Sequence, residues 1–425
     1  MEFQEPDVKK RNREYAVGLD LTDSYSQISV GPVDSDEVET LSVIPGQNNY
    51  LVPTVLFKRS EVNQWFAGRE ALRYKDTEGY YIDKLVSKAR SEEDVKIGSE
   101  SFRPSALLAL FIKRILALVN MVTPASNIAS LMITVDTLDA QLITSLWEAV
   151  KSLGIKTGEI HFQSHTESFY NYMLYQPRDL WMHDVLLFDG TGEYIKSLRM
   201  ECNKNTTPIV AFIDSHEDIR LATTDTEVPG YSGVYTRFAE SVLDGHIISS
   251  TYLVGDIFKD EWCKEGVTML CHKGRVFQGN NLFSKGACYG AKNYVAASIL
   301  SSGYVFLGNE KLKSNVGINV LNRGEEGYLP LLDGGVNWFD ATRECDIILN
   351  QGNKLSFVVT PLTGKNPETV DITLSDLPKR PPRTTRLHIK VKMQSETRML
   401  VNIRDLGFGE IYPAENIEWN EVISI

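Results

Sequence analysis

Two aspartates occupy matching positions, each where an apolar segment runs into a turn. Asp20 follows Gly18 and Leu19, and Asp189 precedes Gly190. An aspartate at such a place often only caps its own turn through a local hydrogen bond. Because the same arrangement occurs in two separate motifs, we favour a second interpretation, in which Asp20 and Asp189 are remnants of one metal site.

Strands and helices alternate along the part of the chain that carries both aspartates. Apolar and polar residues alternate over Tyr15–Val30, which predicts two strands joined by a tight turn. A helical period follows Pro104, and short apolar runs at Ser130–Val135 and Asp184–Phe188 predict buried strands. This order of elements predicts an α/β structure, a sheet with helices on both faces.

The pattern changes near Ser302. Beyond it, short alternating runs are separated by Gly, Asn and Pro, and no helical period is present, which predicts an all-β domain of the sandwich type. The runs are Val316–Val320, Cys345–Leu349, Leu355–Val359, Val370–Leu374, Thr385–Met393 and Met399–Ile403.

A basic, proline-rich segment precedes the fifth of these runs. Leu377–Arg386 contains three prolines and four basic residues. This composition predicts a solvated loop in front of an edge strand, and the alternative is a site for an acidic partner.

Composition limits the possible functions. The chain has 425 residues, 42% of them hydrophobic and 24% charged, which suits two or three globular domains. A net charge of -12 argues against nucleic-acid binding. The five cysteines form no CxxC pair, so neither a zinc ribbon nor a disulfide framework is indicated.

The charged segment Met1–Arg13 lacks the apolar core of a signal peptide, and Lys113 and Arg114 interrupt the apolar stretch Ala106–Val122. We therefore expect a cytoplasmic protein without a membrane partner.

The order of these segments resembles that of the 70-kDa heat-shock chaperones, members of the actin-like ATPase superfamily, and also that of divergent bacterial relatives of these chaperones. The similar segments are Tyr15–Leu21 for the first phosphate loop, Val52–Phe57 and Ala67–Ala71 for the strands and turn that follow, Val185–Gly190 for the second phosphate loop, Tyr252–Gly255 for the adenosine-loop strand, Gly286–Ala291 for the next helix, and Leu374–Val391 for the substrate-binding sandwich.

The resemblance implies four regions. A tail at 1–14 precedes an actin-like core at 15–302, made of two lobes that each contain a mixed sheet with helices. A linker at 303–315 leads to a β-sandwich at 316–425 that is similar to a chaperone substrate-binding domain. The segment from Asp189 to Tyr252 is about half as long as in the family, so we expect a reduced adenine-side subdomain. Because no helical period follows the predicted strands, we expect no helical lid.

The resemblance also implies a nucleotide site. Tight turns in this fold direct backbone N–H groups at phosphates, and paired carboxylates hold magnesium through its water shell. Asp20 and Asp189 would hold magnesium only if ATP binds. Lys84 is the best match for the catalytic lysine, with an ordinary solvated lysine as the alternative. The remnants of the nucleotide site are Gly18, Asp20, Thr22, Asp189, Gly190, Gly192 and Gly255.

Several positions depart from the family pattern. Asp23 and Glu193 would add negative charge to the two phosphate turns, and like charges at such distances repel strongly. Asp256 stands where the adenosine turn has a second glycine. Ser164 and His165 stand where the family has glutamate and proline. We therefore expect no cofactor, or only weak binding of ATP and magnesium.

Three functions follow from this sequence. The favoured one is a chaperone-like binding or scaffold protein with a degenerate nucleotide site, which binds a protein or peptide through the β-sandwich and is not an enzyme. The second is a slow chaperone ATPase that depends on magnesium-ATP, and the third is an actin-like filament protein. The added negative charges and the short segment argue against the second function, and the sandwich argues against the third.

Overall fold

The computed structural model describes residues 13–44, 46–60, 63–91, 93–153, 159–192, 194–216, 218–220, 231–296, 303–362 and 365–425. All but the last two residues of the predicted tail at 1–14, together with Glu193 and Ser302, lie outside these ranges. The chain divides into two units, Met1–Phe306 and Leu307–Ile425.

The first unit contains both strands and helices, which confirms the predicted mixed α/β character of this part of the chain. Its elements are, in chain order, β1 (Tyr15–Leu21), β2 (Tyr25–Pro32), β3 (Glu39–Thr40), β4 (Val52–Pro53), β5 (Leu56–Arg59), β6 (Trp65–Ala67), α1 (Arg69–Arg73), β7 (Gly79–Ile82), α2 (Leu85–Ala89), β8 (Val95–Ile97), β9 (Glu100–Phe102), α3 (Pro104–Leu116), β10 (Ile128–Val135), α4 (Ala140–Ser152), β11 (Glu159–Ser164), α5 (His165–Leu174), β12 (Asp184–Asp189), β13 (Tyr194–Asn203), β14 (Ile209–Ser215), β15 (Ile219–Arg220), α6 (Tyr231–Leu243), β16 (Ile248–Val254), α7 (Lys264–Lys273), β17 (Arg275–Gln278), α8 (Leu282–Val295) and β18 (Tyr304–Phe306).

The two larger sheets of the first unit share one arrangement of strands. The first sheet has the order β11-β10-β1-β2-β3, and the second has the order β17-β16-β12-β13-β14-β18. In each sheet a buried central strand, β1 or β12, pairs antiparallel with the next strand in the chain and parallel with a later one. The turns that follow β1 and β12 therefore occupy corresponding places in the two sheets.

Local sequence accounts for the helix that connects β10 and β11. Parallel neighbours require a crossover connection, and α4 provides it. Asp139 begins this helix, because its side chain accepts a hydrogen bond from the Leu142 N–H at 2.8 Å. On the buried side of the helix, Leu142 and Leu146 are fully covered.

Glycines allow α8 to lie very close to β1 and α5. A Cβ atom at Gly18 would overlap the backbone of Ser284 and Cys288, and one at Gly286 would overlap the Ser168 carbonyl oxygen. A Cβ at Gly290 would approach the Gln163 carboxamide to 2.5 Å. Because α5 begins with His165 and α8 begins beside Phe283, this close packing also fixes the residues described in the next section.

The second unit is made of antiparallel strands, which confirms the predicted strand-rich C-terminal region. Its sheets have the orders β20-β19-β22-β23 and β21-β24-β25-β26. Buried and exposed residues alternate along β24, so this sheet buries one face. The strands are β19 (Ser314–Asn322), β20 (Glu325–Leu332), β21 (Thr342–Leu349), β22 (Lys354–Pro361), β23 (Glu368–Thr373), β24 (Thr385–Met393), β25 (Arg398–Gly407) and β26 (Glu418–Ser424).

The structure corrects the prediction for Leu377–Arg386. The strand that follows, β24, lies between β21 and β25 and is not an edge strand. Arg380 is not solvated, because its guanidinium forms a bidentate ion pair with Asp405 at 2.7 and 2.8 Å, with side-chain exposures of 5% and 0%. The charge of Arg380 therefore anchors the segment to β25.

One described helical segment is long and apolar enough to cross a membrane, judged by length and composition alone. It is Pro104–Met121, and half of its most apolar window is buried inside the structure. Core helices of soluble proteins meet the same criteria, so the segment is only a weak indication of a membrane span. The expectation of no membrane partner stays a prediction.

The contact between α8 and α5 can be tested with Gly286→Ala. We expect the free energy of unfolding to fall by about 1–3 kcal/mol or more, because the added methyl group has no space against the Ser168 carbonyl. The matched control is Gly233→Ala on α6, where an added Cβ meets nothing within 4 Å and alanine favours the helix by about 1 kcal/mol. Urea unfolding of both variants gives the comparison, and equal stabilities would contradict the proposed close contact.

Candidate functional site

A cavity of about 220 Å³ lies where β1, β12 and β16 end in turns. Its walls come from both larger sheets and from the first residues of α5 and α8. The lining residues are Asp20, Thr22, Ser24, Tyr25, Gln27, Leu51, His165, Gly190, Thr191, Val254, Gly255, Asp256, Ile257, Asn280 and Phe283. The structure thus brings together Asp20, Thr22, Gly190 and Gly255 from the predicted site. Gly18, Lys84, Asp189 and Gly192 do not line the cavity.

Asp20 forms a buried pair with a histidine that the sequence analysis did not select. His165 Nε2 lies 2.8 Å from Asp20 Oδ1, and the imidazole stacks on the Phe283 ring with centroids 3.9 Å apart. Burial lowers the pKa of His165, but the nearby carboxylates of Asp20, Asp189 and Asp136 outweigh it, so the pKa is raised above its usual value. Because a carboxylate oxygen only accepts, the Nε2–H of His165 donates to Asp20 Oδ1.

Asp189 caps its own turn. Its Oδ1 accepts hydrogen bonds from the Thr191 N–H at 3.0 Å and the Thr191 hydroxyl at 2.6 Å. The Gly190 N–H donates to the Val254 carbonyl at 2.8 Å. The turn after β12 is therefore held by bonds within the protein.

The turn after β16 is also internally bonded. Gly255 has a φ of 121° and approaches the Gly190 backbone so closely that a Cβ would lie 2.8 Å from it. Its N–H donates to Asn280 Oδ1 at 3.0 Å. Asp256 accepts hydrogen bonds from Lys259 at 2.6 Å and Asn280 at 2.8 Å, and both lower the pKa of its carboxyl. Asp256 is therefore paired before any ligand enters.

The first turn corrects the expectation for Asp23. Its Oδ1 accepts hydrogen bonds from the Val86 and Ser87 N–H groups at 2.8 and 3.0 Å, so the carboxylate caps the N-terminus of α2. The charge of Asp23 points to this helix and does not line the cavity. The Thr22 N–H donates to the Tyr25 carbonyl at 3.3 Å.

The remaining predicted site residues have other surroundings. Lys84 is the exposed N-cap residue of α2 in a left-handed conformation, with a φ of 50°. Gly18 is covered by α8, and an added Cβ at Gly192 would meet nothing within 4 Å. Glu193, expected to add charge to the second turn, lies outside the described residues.

The magnesium ion that the resemblance implies does not fit these residues well. One oxygen of Asp20 already accepts a hydrogen bond from His165. One oxygen of Asp189 is used by Thr191. Within the described ranges, no group of three or more His, Cys, Asp or Glu side chains is placed to hold a metal ion.

Comparisons with known proteins agree with a division of the chain near residue 310. Residues 37–309 match the model of a family of unknown function, the DUF5716 C-terminal family, and this match covers more than half of the chain. The chain belongs to the DUF5716 C-terminal family. Residues 311–425, outside that match, correspond to a domain of unknown function, DUF8552. No curated protein matches this DUF5716 family member.

The pairing of His165 with Asp20 predicts a pH-dependent stability. Because the folded-state pKa of His165 is raised, its contribution is complete below about pH 6.5 and is lost as the pH rises through the folded-state pKa. We expect the free energy of unfolding of the native chain to decline over this range by ~1.4 kcal/mol for each unit by which the pKa is raised. Urea unfolding at pH 6–9 measures this decline.

His165→Asn should reduce the decline, whereas the control His272→Asn, at an exposed position on α7, should keep it. The assignment of the pH dependence to the His165–Asp20 pair fails if His165→Asn and the native chain lose stability in parallel as the pH rises.

Proposed function

We propose that the first unit is a two-lobed core of the actin-like ATPase type, related to that of the 70-kDa heat-shock chaperones. The shared strand order of its two larger sheets supports this, since two similar lobes are what the resemblance implies. The cavity between the turns after β1 and β12 also supports it, because the resemblance puts the phosphate loops in these turns. The reduced adenine-side subdomain and the sandwich character of the second unit are parts of the same proposal.

We further propose that this core is a binding or scaffold module that does not turn over ATP. A single observation carries the proposal: the turn amides that phosphates would need already donate within the protein. Thr22 bonds to Tyr25, Gly190 to Val254, Thr191 to Asp189 and Gly255 to Asn280. A phosphate would have to break these bonds before it could use the amides.

The charges around the cavity also disfavour the binding of ATP. None of the described residues that line it is a lysine or an arginine, whereas Asp20 and Asp256 carry carboxylates. Lys259, near the rim, is already paired with Asp256 at 2.6 Å. A triphosphate would therefore enter a site without a free cation to offset its charge, and its binding would be weak.

Thermal unfolding with magnesium-ATP tests the proposal. We expect the melting temperature of the full chain to change by less than about 1 °C at 1 mM magnesium-ATP. A site with a dissociation constant of 10 µM would be stabilised by ~2.7 kcal/mol under these conditions, which corresponds to a shift of several degrees. ADP with magnesium and magnesium alone are the controls. A shift of several degrees at micromolar ATP would show that the site binds ATP and would contradict the proposal.

We propose that the partner of the scaffold is an extended protein segment or peptide that binds to the second unit. The two antiparallel sheets have β20, β23, β21 and β26 as their outer strands. Outer strands expose main-chain N–H and C=O groups, to which an extended peptide can add as a further strand. Exposed apolar side chains on these strands, among them Tyr328, Ile348 and Val422, offer contacts for such a peptide.

Peptide binding to the full chain tests this second proposal. We expect a fluorescent seven-residue apolar peptide to bind with a change in anisotropy, and hydrogen exchange to slow in one outer strand of the second unit. A control peptide with proline at alternate positions should bind at least tenfold more weakly, because it lacks the N–H groups for strand pairing. Equal binding of both peptides would contradict strand addition, and a large effect of magnesium-ATP would instead favour a coupled ATPase.

A further inference from the structure

Two polar side chains in the cavity of the first unit have unused hydrogen-bonding atoms next to each other. Asp20 on β1 and Gln27 on β2 are directly opposite in the antiparallel register. They are 8% and 3% exposed, and both line the cavity. Opposite side chains on one face of such a pair lie about 5 Å apart, so the carboxylate and the carboxamide can contact the same ligand.

Each side chain is only partly satisfied. Asp20 uses Oδ1 for His165, and Gln27 uses Oε1 to accept a long bond of 3.5 Å from the Ser284 hydroxyl. Within the described part of the chain, neither Asp20 Oδ2 nor Gln27 Nε2 has a hydrogen-bond partner. Neither atom is among the fully buried side-chain atoms without a partner, so both are open to the cavity. This acceptor and this donor can therefore bind a ligand that supplies both.

The charges favour an uncharged ligand. An anion would meet the carboxylates of Asp20 and Asp256 without a lysine or arginine among the described lining residues. A cation would find Asp20 Oδ1 already bonded to His165, and no group of three or more His, Cys, Asp or Glu side chains among the described residues is placed to hold it. Phe283, 2% exposed, adds an apolar ring to the wall. An acceptor, a donor and an aromatic ring together suit a ligand with hydroxyl groups on a carbon ring.

We propose that this cavity binds the vicinal diol of a small uncharged sugar or nucleoside. One hydroxyl donates to Asp20 Oδ2, and its neighbour accepts from Gln27 Nε2. The volume of about 220 Å³ is below the ~300–1,000 Å³ of pockets for drug-sized ligands, which suits a single sugar ring. The inference rests on the proposal that the cleft does not take up ATP.

Calorimetric titration of the full chain separates the two sources of a diol. The probes are methyl β-D-ribofuranoside for a free sugar and adenosine for a nucleoside, each compared with its 2,3-dideoxy or 2′,3′-dideoxy analogue. We expect at least one diol to bind, and its dideoxy analogue to bind at least tenfold more weakly, because the analogue lacks the hydroxyl groups that would bond to Asp20 and Gln27. Whichever diol binds identifies the source.

Variants assign the binding to the two side chains. Gln27→Leu removes the donor at similar volume and should weaken diol binding about tenfold or more. Asp20→Asn replaces the acceptor and should weaken it at least as much. Gln176→Leu is the matched control, since Gln176 donates to the Tyr172 carbonyl outside the cavity and its loss should leave diol binding unchanged.

Three results would overturn the proposal of diol binding. It fails if neither diol binds at 10 mM, if the dideoxy analogues bind as well as the diols, or if Gln27→Leu binds like the native chain. Should either variant fail to fold, the comparison of diol with dideoxy analogue on the native chain decides the question. Tight binding of magnesium-ATP would instead overturn the proposed function, and absence of both ATP and diol binding would overturn this inference alone.

Discussion

The close approach of α8 to β1 and α5 is the constraint on which the first unit depends. Side chains at Gly18 and Gly286 would occupy the space now filled by the neighbouring backbone. Small buried residues, among them Ala16, Ala287 and Ala291, continue this contact. Protein interiors are packed so densely that elements in such a contact cannot shift relative to one another. The helix and the first sheet therefore hold Phe283 and Asp20 at fixed positions, and the cavity has a defined shape before any ligand binds.

The turns around the same cavity are held by hydrogen bonds within the protein. The N–H groups in the turns after β1, β12 and β16 bond to neighbouring carbonyl and side-chain oxygens. His165 places a hydrogen-bond donor beside Asp20. These turn amides therefore have hydrogen-bond partners when the cavity is empty.

The sequence predicted the elements with strong periodic patterns and missed those without them. The apolar runs of β10 and β12 identified these elements correctly. β20 was missed because Glu325–Leu332 lacks a regular alternation and contains Pro330. Within the site, Asp20 and Gly190 were found from their turns. His165 and Gln27 were missed as site residues, because only the pairing of β1 with β2 and the start of α5 bring them to Asp20.

The ion pair between Arg380 and Asp405 has a consequence for how acid acts on the second unit. The bond from Arg380 lowers the pKa of Asp405, although burial opposes it, so its stabilisation is present above about pH 3.8 and is lost as the pH falls through the lower folded-state value. Asp405 also accepts the Gly407 and Glu415 N–H groups. One protonation would therefore weaken the attachment of Leu377–Arg386 and of the turn after β25 at the same time.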